Sequence, residues 1–337
     1  MEDMIIDFKH NHSGHCESGA TSNLIRHYGL EISEPMTFGI GGGIFFCYLP
    51  FIKAQEAPMF AFRTLAGKIF RHATERIGAD TVMIKKFKDP VKAMQELDRN
   101  IENGIPTGVQ VGTFHLKYFP PEYRLHFNFH NVVVFGRENG VYHIGEPVRE
   151  NTQLILREDL QKARFARGMF GPNGKMYYIR SVPKQPDMQK AIYQGIQETI
   201  KNMLKNPVPY IGIKGMRKLA KDMKKWPSRL PEEKARFYLI QFVRSSEEFG
   251  TGGAAFRYMF GAFLKESSEL LKNELILEAS SQMGETATLW RDLSYRSSRF
   301  IKNREELHDN YSILSEILME CASGEERIFK GLAKLKI

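Results

Sequence analysis

Cys16, His130 and Glu146 are the residues whose types and surroundings together suit a reaction. Cys16 follows His15 and opens a stretch with a helical pattern. Small residues come next (Ser18, Gly19, Ala20), then an apolar stripe at Ala20, Leu24 and Tyr28, and Gly29 is a natural stop. A thiol at a helix N-terminus lies at the positive end of the helix dipole, near unpaired backbone N–H groups. Both favour the thiolate, which is the nucleophilic form. His130 falls in a strand-like run from Leu125 to Gly136, followed by a turn at Arg137-Glu138-Asn139-Gly140 and a returning strand from Val141 to Pro147. A four-residue loop puts His130 nearly opposite Glu146, where cross-strand Cβ atoms lie about 4.5–5.5 Å apart. A carboxylate there holds the imidazole in one tautomer and steadies its charged form. The three residues are the parts of a cysteine nucleophile, its base and an orienting acid. The competing reading of Cys16 is a small buried hydrophobe.

The elements that must position these residues change character partway along the 337-residue chain, a length that suggests two domains. After the Cys16 helix, Gly41-Gly42-Gly43 leads into an apolar strand at 44–49. The closing Lys-Ser/Thr of a phosphate loop is missing, so these glycines are expected to let the backbone pass close to the Cys16 helix or to a ligand. A helix is expected at 60–77 and a strand at 81–87. A well-marked helix runs from Asp89-Pro90 to Gly104, with apolar residues at Val91, Met94, Leu97 and Ile101. A strand follows at 107–112. A short helix at 157–167 and a strand at 175–182 precede Pro183 and Pro186. Beyond them alternation fades, and helices are expected at 187–204, 212–225, 231–247, 253–275, 283–303 and 305–335. The Gly-rich run Gly250-Thr251-Gly252-Gly253 reads as a tight connection between packed helices, with anion binding through backbone N–H groups as the alternative.

Composition is that of an ordinary soluble protein, 42% hydrophobic and 26% charged. Three widely spaced cysteines (Cys16, Cys47, Cys321) make no disulfide framework and suit a reducing cytoplasm. Neither a signal peptide nor an apolar run of about 18 residues is present, so a cytoplasmic location without membrane insertion is expected. The net charge is +9, densest at 201–229, where nine lysines and arginines face one aspartate. Such a stretch suits nucleic acid, an anionic membrane surface or an acidic protein, and equally a solvated helix face. No nucleic-acid motif accompanies it. A zinc site from His10, His12, His15 and Cys16 is crowded and would silence the thiol, so no metal is expected. His126 alternates in phase with His130 and so would face the same cleft. Cys47, Cys321, Trp226 and Trp290 read as core or anchoring residues.

The stretch from His15 to Gly29, continuing into Ser33-Glu34-Pro35-Met36-Thr37-Phe38-Gly39-Ile40-Gly41-Gly42-Gly43, closely resembles the N-terminal domain of the butirosin biosynthesis protein H family. The helical region, with Gly250-Thr251-Gly252-Gly253-Ala254-Ala255-Phe256-Arg257, resembles the uncharacterised domain that commonly follows it. More distantly, the N-terminal part is similar to papain-like cysteine peptidases that cleave bacteriocin leaders. His130-Asn131-Val132-Val133-Val134-Phe135-Gly136 and Glu146-Pro147 fit that group's histidine and acid. The resemblance implies an α+β, papain-like N-terminal domain at 1–183, an all-α domain at 187–337, and Cys16, His130 and Glu146 as the catalytic residues. Papain-like enzymes usually carry a Gln six residues before the cysteine to bind the oxyanion. Here that position is His10, which with His15, Gly41, Gly42 and His126 completes the expected oxyanion- or substrate-contacting set.

The resemblance further implies an acyltransferase. The acyl group would come from a phosphopantetheine thioester on an acidic carrier protein and go to a small amine, with no tightly bound cofactor. The same residues also suit an amidase or peptidase in which water releases the acyl group, and a binding protein that kept the fold. The helical domain is large enough to bury a dimer interface.

Overall fold

The computed structural model describes residues 3–54, 56–248, 250–302 and 310–335. In chain order the elements are β1 (Met4–Ile5), α1 (Cys16–His27), α2 (Glu34–Ile40), β2 (Ile44–Ala54), β3 (Ala57–Arg63), α3 (Lys68–Arg76), β4 (Asp80–Ile84), α4 (Pro90–Glu102), β5 (Thr107–Val111), β6 (His130–Glu138), β7 (Val141–Gly145), β8 (Gln153–Leu156), α5 (Arg157–Arg164) and β9 (Met176–Ser181), then seven helices. These are α6 (Met188–Met203), α7 (Gly212–Met223), α8 (Trp226–Arg229), α9 (Glu232–Val243), α10 (Arg257–Leu271), α11 (Glu274–Ile301) and α12 (Asn310–Leu332). The class is α+β. The chain forms two compact units: Met1–Thr37 with Ile69–Asp187, and Phe38–Lys68 with Met188–Ile337. The linear division at 183–187 therefore needs one correction, because the β2–β3 hairpin groups with the C-terminal helices.

The first unit is an antiparallel sheet in the order β4-β9-β5-β6-β7-β8, with β1 also paired to β6. Met94, Leu97 and Ile101 of α4 and Leu160 and Ala163 of α5 join Val109, Val111, Val132, Val134 and Ile144 of the sheet in a continuous core. Val91, expected on the apolar stripe of α4, is instead exposed. Asp89 caps α4, accepting from the Val91 N–H at 2.8 Å, and Pro90 starts it. The β6–β7 hairpin is tighter than expected. Its turn is Asn139-Gly140, with φ of 51° and 77°, so both central residues take the left-handed conformation that such a two-residue turn demands. A bulge falls between Val134 and Gly136.

α1 packs against β6 and is buried from Cys16 to Ile25, although it carries few apolar residues. Its polar side chains are satisfied locally. Thr21 donates to the Glu17 carbonyl at 2.7 Å, Ser22 to the Gly19 carbonyl at 3.0 Å, and Asn23 to the Asn11 carbonyl at 3.0 Å. The buried Glu17 carboxylate accepts from the N–H groups of Ile69 and Phe70, at 3.0 and 3.3 Å, at the start of α3.

Several expectations change. Residues 60–63 are strand, because Tyr48 pairs with Phe60 and Cys47 with Ala61, and Phe62 packs on Phe46 and Trp290 within the second unit. The glycines before β2 pack on aromatic rings. A Cβ at Gly39 would lie 2.0 Å from the Phe263 ring, and one at Gly43 2.5 Å from the Phe38 ring. The strand expected from Leu125 begins at His130, since Thr113 takes the Leu125 and Phe127 carbonyls through its hydroxyl and N–H. In the second unit the Gly-rich run forms a left-handed turn. Ala254, Ala255 and Phe256 have φ of 48°, 51° and 70°, so α10 starts only at Arg257. The fully buried Arg257 is paired with Glu325 at 2.8 Å, and Trp290 Nε1 donates to the same carboxylate at 2.7 Å. α11 begins at Glu274, because Asn273 caps it. Phe249 and 303–309, which include the expected start of the last helix, lie outside the described residues. Among the described residues no helix is long and apolar enough to cross a membrane.

Gly19 sets how closely α1 approaches Ser13 and the segment just after β7, which carries Glu146 and Pro147. A Cβ there would lie 2.4 Å from the Ser13 Cβ and 2.9 Å from the Pro147 Cβ. Gly19→Ala is expected to destabilise the protein by about 1–3 kcal/mol and to slow alkylation of Cys16 by separating it from the 146–147 segment. Denaturant melts and alkylation rates check both.

Candidate active site

Cys16 is the first residue of α1, and the chain before it is anchored. The Glu34 carboxylate accepts from the N–H groups of Gly14 (2.7 Å) and His15 (2.8 Å) and from the Ser18 hydroxyl (2.9 Å). His15 is the N-cap, its Nδ1 facing the Ser18 N–H at 3.3 Å and the Ser18 hydroxyl at 2.9 Å. His15, Ser18 and Glu34 thus fix the entry to the helix and the direction of the thiol.

His130 opens β6, where it pairs with Val111 of β5. The β6–β7 ladder ends at Val133 and Gly145, so Glu146 lies just beyond it. The side chains meet nonetheless. His130 Nε2 lies 2.8 Å from both carboxylate oxygens of Glu146. The fully buried Glu146 also accepts from the Tyr118 hydroxyl at 2.8 Å and faces the Val148 N–H at 3.4 Å. With Nε2 committed to Glu146, Nδ1 is the nitrogen left for the thiol of Cys16.

The electrostatics follow from this packing. Burial, the largest influence on Cys16, opposes the thiolate. The charges and hydrogen bonds of His15 and His130 outweigh it and bring the thiol well below its ordinary value. For His130, burial opposes the charged ring, but Glu146 and Cys16 push it up to about 10. Both directions favour the thiolate and the imidazolium, with Glu146 2.8 Å from the ring at Nε2.

Asn131 was not singled out from the sequence. It is buried, its Nδ2 lies 3.9 Å from Cys16 Sγ and donates to the Phe129 carbonyl at 3.0 Å, and its Oδ1 accepts from the Tyr177 hydroxyl at 3.1 Å. The Tyr177 bond turns the amide donors towards the sulfur, which suits the thiolate. The Phe129 carbonyl, 3.9 Å from Sγ, suits the thiol. Tyr118 was missed as well; it is separated from Glu146 by 28 residues, and no local pattern announces that contact.

The other expected site residues fall in different places. His15 is at the site. His10 has its Nε2 2.8 Å from the Arg149 carbonyl. A carbonyl only accepts, so Nε2 carries the proton there, and the buried Nδ1 has no hydrogen-bond partner among the described residues. His126 does not share a strand with His130. It is exposed, stacks on Phe114 at 4.3 Å and lines a depression of about 410 Å3 with His115, Lys162 and Arg167. Gly41 and Gly42 lie in the turn after α2, in the second unit, Gly42 with φ of 63°. Cys47 is buried in β2, its thiol pushed up to about 11 by burial, and Cys321 is buried in α12. Among the described residues no group of three His, Cys, Asp or Glu side chains comes together as metal ligands.

The site thus combines a cysteine at a helix start with a carboxylate-held histidine on an antiparallel sheet. Residues 158–332, more than half of the chain, match DUF4872, a domain of unknown function, and the chain belongs to that family; residues 15–147 match the N-terminal domain of butirosin biosynthesis protein H. Among solved structures, a protein from Bacillus anthracis described as a C39-like peptidase is similar at 12% identity and a TM-score of 0.38, covering 56% of this chain and 100% of that one. No curated protein matches the chain.

The ion pair makes stability depend on pH with opposing signs. His130, raised when folded, contributes in full below its ordinary 6.5 and loses that contribution as pH rises towards about 10. Cys16, lowered when folded, contributes in full above its ordinary 9.0 and loses that as pH falls. Between 6.5 and 9.0 the two slopes cancel. The stability difference between wild type and the double variant Cys16→Ser/His130→Asn is therefore expected to be level across that window and to shrink on either side, as read from denaturant melts at a series of pH values.

Proposed function

We propose that the protein is a cysteine acyltransferase that takes an acyl group from a thioester and passes it to an amine. The observation that carries this reading is Cys16 at the start of a buried helix, in the same unit as a His130 ring held at 2.8 Å by the buried Glu146 carboxylate. The thiolate attacks the thioester carbonyl, and the tetrahedral intermediate collapses to expel the donor thiol, which takes its proton from His130 Nδ1. An acyl-S-enzyme remains. An amine then attacks the acyl carbonyl, His130 accepts its proton, and Cys16 leaves as the thiolate while the amide departs. Exchange between thiol and thioester is nearly isoenergetic, so a cysteine suits this donor.

Similarity to a protein named for butirosin biosynthesis supports a role in making a secondary metabolite. The donor we favour is a phosphopantetheine thioester on an acidic carrier protein. The basic 201–229 region is its docking surface in this reading. Lys218 is paired with Asp222 and Arg217 with Glu326, while Lys201, Lys221, Lys224, Lys225 and Arg229 are exposed. A small amine is the acceptor.

Whole-protein mass spectrometry tests this directly. Mixing with a set of acyl-thioesters is expected to leave an acyl adduct on wild type and none on Cys16→Ala. Added amines are expected to remove the adduct with formation of an amide. Release only as the free acid would make the protein a hydrolase, and no adduct from any donor would remove the catalytic reading.

A further inference from the structure

Just before His130 in the chain, Phe129 joins a group of aromatic side chains that the chemistry above leaves unused. The carbonyl of Phe129 is 3.9 Å from Cys16 Sγ. The Phe129 ring contacts the Phe127 ring at 5.8 Å and the Phe170 ring at 4.9 Å. Phe170 stays 54% exposed and its neighbour Met169 58% exposed, although a soluble surface has no use for two adjacent large apolar side chains. Phe170 also takes a left-handed backbone conformation, φ 58°, which a bulky side chain disfavours. Both residues lie in the loop that connects α5 to β9.

That loop is tied to the site. Asn128, 5% exposed, donates from Nδ2 to the carbonyls of Met169 (3.1 Å) and Arg167 (3.3 Å). Gln110 holds the Asn128 carbonyl from the other side at 2.7 Å. Asn128 and Phe129 are the two residues before His130, so the same short segment fixes the histidine, faces the sulfur and anchors the loop. The loop's position is therefore determined by the residues that set the active site, and its apolar side chains remain uncovered next to that site.

We infer that Phe170 and Met169, with Phe129, form an apolar seat for the acyl group delivered to Cys16, so that the preferred donors carry an extended aliphatic or aromatic acyl chain in place of a short polar one. The occupant is the acyl chain because it is the part of the substrate bonded to Sγ, and Phe129, whose carbonyl lies 3.9 Å from Sγ, has its ring against Phe170 at 4.9 Å. This rests on Cys16 being the nucleophile, and it adds the chemical class of the group transferred.

Labelling of Cys16 by N-methylmaleimide and N-hexylmaleimide, located by peptide mapping, tests the seat without any transfer reaction. Each rate is divided by that of free cysteine with the same reagent. In wild type the hexyl reagent is expected to gain about tenfold over the methyl reagent, the scale on which a pocket senses a few methylenes. Phe170→Ala is expected to bring that ratio close to one and Phe170→Leu to retain most of it. Leu154→Ala, a change at an equally exposed apolar residue on β8, is expected to leave it unaltered. No chain-length preference in wild type, or an unchanged ratio in Phe170→Ala, would overturn the seat. The ratio is readable whatever the absolute rate. Labelling at an ordinary thiol rate with both reagents would count against Cys16 as an activated nucleophile and not against the seat.

Discussion

The burial of Cys16, His130 and Glu146 together is the constraint to which the first unit is built. Separating Cys16 and His130 into ions away from water is unfavourable unless each ion is met by further partners. Glu146 meets the imidazolium at 2.8 Å, and Tyr118 and Val148 meet Glu146. On the sulfur side, His15 and the Asn131 amide do the corresponding work. Removing any one of these would leave a charge uncompensated in a site that water hardly reaches, so the neighbours of the triad matter almost as much as its members.

That requirement explains the composition of α1. A helix that presents a thiol at a buried N-terminus must approach the sheet closely, and close approach needs small side chains such as Gly19 and Ala20. Small polar residues in the same helix are tolerated because each bonds to nearby backbone or, for Ser18, to Glu34. Glu17, next to the thiol in sequence, is turned away from it and spends its charge on the first N–H groups of α3. The chemistry at residue 16 and the packing of residues 17–25 are one solution, in which the helix is held by polar contacts at its start and by shape along its length.

What could be read from the sequence was what depends on neighbours in the chain. The cysteine at a helix start, the Asp89-Pro90 cap and the Asn139-Gly140 turn are local signals, and each holds. The pairing of His130 with Glu146 was also legible, although the hairpin that brings them together is shorter and bulged. Contacts set by tertiary packing were not legible. Tyr118 reaches Glu146 from a loop. Residues 125–129 look like strand but give their carbonyls to Thr113 and Asn131. The apolar run at 60–63 suits helix or strand equally until β2 is beside it. His10 occupies the place of a known oxyanion donor in the chain, yet its ring is bonded to Arg149.

The most direct test of this account is the ionisation of Cys16, followed by the ultraviolet absorbance of the thiolate in wild type minus Cys16→Ala across a pH titration, with the His130 imidazole followed by nuclear magnetic resonance in the same samples. The account predicts a thiolate that persists well below the ordinary thiol range and a His130 ring still protonated above neutral pH. A thiolate that appears only in the ordinary thiol range, with His130 losing its proton near the value of a free imidazole, would contradict it.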